Sequence, residues 1–127
     1  MLSSVVAALI ALIHIYVFAL ESLLWGKPIS VKTFRVSGPD VEANRQFAFN
    51  QGFYNLFLAL AIVIGIVLMI PGEAVSFIQG RTLVDYSVLS VFGAGAVLLY
   101  SSRRLLRAAM VQMVPAALYF LFRALDL

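Results

Sequence analysis

Apolar residues in this chain gather in four long runs divided by short polar stretches, with no sustained alternation between apolar and polar positions. Such runs read as membrane-spanning helices, because about 20 residues at 1.5 Å each cross a ~30 Å hydrocarbon core. The first run predicts a span from about Leu2 to Trp25. A polar connection with Pro28, Gly38 and Pro39 follows, from Gly26 to about Ala43. The second span is expected from about Asn44 to Ile70, where Pro71 and Gly72 stop it. At roughly 27 residues, or ~40 Å, it exceeds the core thickness, so its first turns should project into the headgroups. A link reaching Thr82 leads to a third span from about Leu83 to Tyr100. Ser101 and Ser102 predict a tight turn, with Ser102 a plausible N-cap, before a fourth span from about Arg103 to Leu125. The expected fold is all-α, a four-helix integral membrane bundle forming a single domain over residues 1–127.

Composition agrees with this pattern. Of 127 residues, 63% are hydrophobic and only 12% charged, which is too little polar surface for a soluble domain of this size. The net charge of +3 comes from basic residues at the ends of apolar runs. They therefore read as topology signals and headgroup contacts, and nucleic acid is not expected as a partner. There is no cysteine, which excludes disulfides, thiolate metal sites and a cysteine nucleophile. The first run lacks a basic leader and carries Glu21 and Trp25 where a cleavage site would need small residues. It reads as a retained helix and not as a signal peptide.

Charge asymmetry sets the expected orientation. Lys27, Lys32, Arg35 and Arg45 flank the first connection, and Arg103, Arg104 and Arg107 the third. The opposite side has only Arg81 and Arg123. The first and third connections are then cytoplasmic and both termini extracytoplasmic, in a plasma or inner membrane.

Polar side chains inside spans are costly and usually face a bundle interior or cavity. His14 and Glu21 fall on one stripe of the first span, two helical turns apart, with Phe18 and Trp25. In the second span, Asn50, Gln51, Tyr54 and Asn55 fall within an arc of roughly 140°. Gly52 leaves room beside that arc for a neighbouring helix or a ligand. The fourth span adds Gln112, with Tyr119 and Arg123 near its stripe and Pro115 within the helix. Arg104 or Arg107 could neutralise Glu21. The third span offers the small residues Gly93, Ala94, Gly95 and Ala96, suited to close packing, and an outer Arg81–Asp85 pair spaced for an ion pair. The candidate ligand-binding set is therefore His14, Glu21, Asn50, Gln51, Tyr54, Asn55 and Gln112, all expected at the midplane or in the cytoplasmic half. One histidine and one nearby carboxylate do not suggest a metal, and no cofactor is expected.

These motifs carry a resemblance. Glu21 to Trp25, then Asn50-Gln51-Gly52-Phe53-Tyr54-Asn55-Leu56-Phe57-Leu58, then Val111-Gln112 with Pro115-Ala116, resemble the family catalogued as domain of unknown function 1304. That resemblance spans nearly the whole chain and implies four spans without fixing an activity. The architecture is also similar to membrane-associated glutathione and eicosanoid enzymes. Asp40-Val41-Glu42 followed by Asn50 is similar to their second-span start, with Phe53 where that resemblance implies Glu. This likeness implies a trimeric bundle.

Three functions compete. A binding or transport protein would use Glu21 for a cation, a proton or a small molecule, with a homo-oligomer completing the pocket in the bilayer. A membrane enzyme would use His14 or Glu21 as acid or base on a lipophilic substrate. A structural or assembly subunit would use the polar cluster to hold helices together. Binding or transport is the reading the residues favour.

Overall fold

Glycine, proline and the apolar runs set the helix boundaries in the computed structural model, which describes residues 1–127 and contains no strand. Helix α1, Leu2–Phe18, continues through a π-helical turn, Ala19–Leu23. The Leu24 N–H closes that turn on the Ala19 carbonyl at 2.9 Å. Gly26, at φ +85°, then redirects the chain. Two short helices follow, α2 (Pro28–Phe34) and α3 (Gly38–Ala43). Next come α4 (Arg45–Met69), α5 (Ala74–Ser101), a 3-10 turn (Arg103–Leu105) and α6 (Leu106–Ala124). Four helical segments are long and apolar enough to cross a membrane: Leu2–Leu23, Arg45–Met69, Ala74–Ser101 and Arg103–Ala124. The chain is a helical membrane protein.

Several boundaries differ from the expectation. The first connection is largely helical because Pro28 and Pro39 occupy first-turn positions, where a missing N–H costs nothing. Helix α5 begins at Ala74 and not near Leu83. Gly80, which reads as part of a link, instead lies inside α5 and lets it approach α4: a Cβ there would collide with the Gly65 carbonyl. Ser102 stands at the start of the last segment, but its hydroxyl makes no capping bond. The Leu105 N–H bonds to the Ser102 carbonyl instead, at 3.1 Å. Pro115 lies inside α6 without ending it.

The residues pack as two compact units. One comprises Met1–Ala11 and Leu60–Leu127. Its core includes Val84, Val88 and Val91 of α5, at helical spacing, and Ala109, Ala116 and Tyr119 of α6. Gly95 lies so close to α6 that a Cβ would come within 2.6 Å of Met113 Cγ and 3.2 Å of the Ala109 carbonyl. After α6, Asp126 takes a left-handed conformation at φ 55°. The Leu127 N–H then returns to the Phe122 carbonyl at 2.9 Å, a Schellman closure. The Leu127 carbonyl in turn accepts from the Ser3 N–H at 3.1 Å and the Ser3 hydroxyl at 2.9 Å, satisfying donors of the first turn of α1. The other unit is Leu12–Ala59. Leu20, Ala48 and Ala59 are buried there, and it holds the candidate site.

Candidate functional site

A π-helical turn holds one residue more than an α-turn and re-aims the side chains it carries; such turns recur at functional sites. Here the turn Ala19–Leu23 carries Glu21 and Ser22 within a candidate span. The Asn55 amide donates to Glu21 Oε2 at 2.8 Å and to the Gln51 carbonyl at 3.1 Å. The Ser22 hydroxyl donates to the Phe49 carbonyl at 2.8 Å. Gly52 permits this approach of the turn to α4, because a Cβ there would meet Ser22 Oγ and lie 3.1 Å from Glu21 Cβ. One helical turn before Glu21, Phe18 meets Phe53 edge-on with ring centroids 5.2 Å apart. Phe53 also stands 5.0 Å from Phe49 and 6.3 Å from Phe57. On the other side of the turn, the Trp25 indole donates to the Val41 carbonyl at 2.8 Å and packs on Phe34.

Glu21 is partly buried and forms no ion pair. The partner the structure gives it is the neutral Asn55 amide. The two ion pairs of the structure lie elsewhere, at Arg45–Glu42 and Arg123–Asp85.

The remaining candidates divide. His14 is buried, 3% exposed. The polar arc of α4 splits along its length. Asn55 turns to Glu21, whereas Asn50, Gln51 and Tyr54 are exposed. Asn50 and Tyr54 line an open groove of about 410 Å³ with Phe49, Phe53 and Phe57. Gln51 contributes only its backbone carbonyl to the Asn55 amide. Gln112 belongs to the other unit, where its Cβ lies 3.2 Å from the position a Gly95 Cβ would take. No group of three or more His, Asp or Glu side chains is placed to hold a metal ion.

Residues 8–123 match the model of a family described as protein of unknown function, DUF1304. The chain belongs to that family. Neither the curated proteins nor the solved structures contain a match. The segment matched to DUF1304 includes every candidate residue named above and a second polar cluster that the spacing along the sequence misassigned.

That cluster joins α5 to α6. The Tyr119 hydroxyl donates to Asp85 Oδ1 at 2.5 Å, and Arg123 Nη2 reaches Asp85 Oδ2 at 3.4 Å. Arg81, the expected partner of Asp85, instead places its guanidinium 5.3 Å from the centroid of the Phe77 ring. A signal for this arrangement existed in the sequence: Tyr119 and Arg123 are one turn apart on a single stripe of α6. The i,i+4 rule favoured the local Arg81 partner, and tertiary packing provided a better one.

Proposed function

We propose that this chain is a multi-pass membrane protein that binds or transports a small cation or a positively charged small molecule, with Glu21 as the counter-charge. The observation that carries this reading is a carboxylate on a π-helical turn, inside a candidate span, whose hydrogen-bond partner is a neutral amide. Charges in hydrocarbon are kept where they have a partner or a task. Asn55 fixes the orientation of the carboxylate but supplies no positive charge, so the ligand is the partner that completes it. The adjoining rings of Phe18 and Phe53 add aromatic faces suited to an organic cation.

In this reading both termini are extracytoplasmic, as the excess of basic residues at the first and third connections indicates, and the membrane is a plasma or inner membrane. Asn50, Gln51 and Tyr54 are exposed on a spanning helix, and polar groups there are best covered by protein. A homo-oligomer supplies that cover and completes the binding path.

The test uses protein in phosphatidylcholine nanodiscs, with tetraphenylphosphonium and sodium ions as separate probes. Wild type is expected to bind one of them saturably. Glu21→Gln keeps the hydrogen bond to Asn55 and removes the charge, so binding should weaken about tenfold or more. Circular dichroism and fluorescence of Trp25 check that the fold is intact. Equal binding by the two proteins, or no saturable binding of either probe by wild type, rejects the proposal.

A further inference from the structure

The unit formed by Met1–Ala11 and Leu60–Leu127 contains a second cavity, of about 560 Å³, lined by Ala96, Leu99 and Tyr100 of α5, Arg103 of the connecting turn, and Leu106 and Met113 of α6. Its volume falls in the range of ligand pockets. Its lining combines the aliphatic and thioether side chains of Ala96, Leu99, Leu106 and Met113 with the Tyr100 phenol and, from the connecting turn, the Arg103 guanidinium.

Charge around that turn is uncompensated. Arg103, Arg104 and Arg107 are all exposed, and none forms an ion pair or a side-chain hydrogen bond. No acidic residue lies between Asp85 and Asp126 in the sequence. An anion is therefore the complement this region lacks. The distance from Arg103 to Met113 along the helix is roughly 15 Å, half of a ~30 Å hydrocarbon core and so the depth of one leaflet.

We propose that this groove seats one anionic phospholipid. Its phosphate lies against Arg103, with Arg104 and Arg107 adding to the field, and one acyl chain runs over Ala96 and Leu99 toward Met113. Small side chains make room for the chain: Ala96 is the smallest residue of the lining, and the neighbouring Gly95 lets α5 and α6 meet directly. A free anion would satisfy the arginines but leave the apolar part of the groove empty. A neutral lipid would do the reverse. This site is independent of Glu21 and of the cation-binding reading.

The experiment reconstitutes the full chain in nanodiscs of equimolar phosphatidylglycerol and phosphatidylcholine. It then extracts the protein gently and measures by native mass spectrometry which lipids remain bound. Wild type is expected to retain phosphatidylglycerol preferentially. Arg103→Gln, at an exposed position, should lower that preference about fivefold, the value of one basic residue at an anionic surface. Ala96→Phe keeps every arginine but fills the groove, and it should lower retention as well. Arg81→Gln, outside the groove, should change nothing. Loss with Arg103→Gln but full retention with Ala96→Phe would mean that the arginines attract headgroups without a seated lipid, and would overturn the proposal. So would equal retention of the two lipids by wild type.

Discussion

Gly52 is the position at which adding a single methyl group should do most harm to the candidate site. In Gly52→Ala the new Cβ would overlap Ser22 Oγ and lie 3.0 Å from the Ser22 backbone nitrogen and 3.1 Å from Glu21 Cβ. The hydroxyl alone could rotate away, at the cost of its bond to the Phe49 carbonyl. The backbone nitrogen cannot, so the π-helical turn must move off α4. Overpacking of this kind costs about 1–3 kcal/mol. The two bonds that bracket Gly52, Ser22 to Phe49 and Asn55 to Glu21, are each worth about 0.6 kcal/mol in a membrane protein.

Replacing glycine by alanine in a helix also gains up to about 1 kcal/mol of backbone propensity, which partly masks the damage. Gly93→Ala supplies the control. Gly93 lies within α5, and a Cβ there meets nothing within 4 Å, so this variant carries the propensity gain alone. Gly52→Ala should therefore be less stable than Gly93→Ala by about 2–4 kcal/mol. Denaturant unfolding in mixed micelles measures the difference. Trp25 is the sole tryptophan and lies just beyond the affected turn, hydrogen-bonded to Val41, so its fluorescence reports the same region. Unfolding free energies that agree within about 0.5 kcal/mol, the scatter of surface substitutions, would refute the packing argument.

Two further outcomes are expected. Tyr119→Phe removes the hydroxyl bonded to Asp85 but leaves Arg123 in place. It should cost about 1 kcal/mol in the same unfolding assay and leave cation binding unchanged; lost binding would show that the Asp85 cluster also serves the ligand. A reporter fused after Leu127 should behave as extracytoplasmic, and cytoplasmic activity of that reporter would reverse the proposed orientation.

The four spans were legible because bilayer thickness imposes a run length that few other folds require. The boundaries were less legible where a residue has two meanings. Gly80 reads as a break, yet within α5 it is the residue that allows contact with Gly65. Proline reads as a loop signal, yet Pro28 and Pro39 begin helices. For the site, the sequence placed Glu21 and Asn55 in one polar set, and the structure bonds them directly. The shared stripe of His14 and Glu21 assumed an uninterrupted 3.6-residue repeat. The π-helical turn at Ala19 breaks that repeat before Glu21, so a wheel drawn from the sequence cannot place the two side chains relative to each other. The wheel also gives the width of a polar arc but not where a neighbouring helix cuts it. That is why Asn55 faces Glu21 while Asn50 and Tyr54 remain on the exposed aromatic face.

The two carboxylates within spans differ in the partners they find, Asp85 a guanidinium and a phenol and Glu21 a neutral amide, and that difference bears on the proposed role of Glu21. Asp85 has a guanidinium on one oxygen and a phenol on the other. Both of its oxygens have a partner inside the protein, one of them a cation. Such a set is suited to fixing α5 against α6. Glu21 has one neutral donor on one oxygen. Its orientation is held without a charged partner, and Gly52 leaves the turn that carries it no slack. A carboxylate positioned in this way is suited to a task that requires charge to come and go, which supports cation binding at Glu21 over a purely structural use of the same residue.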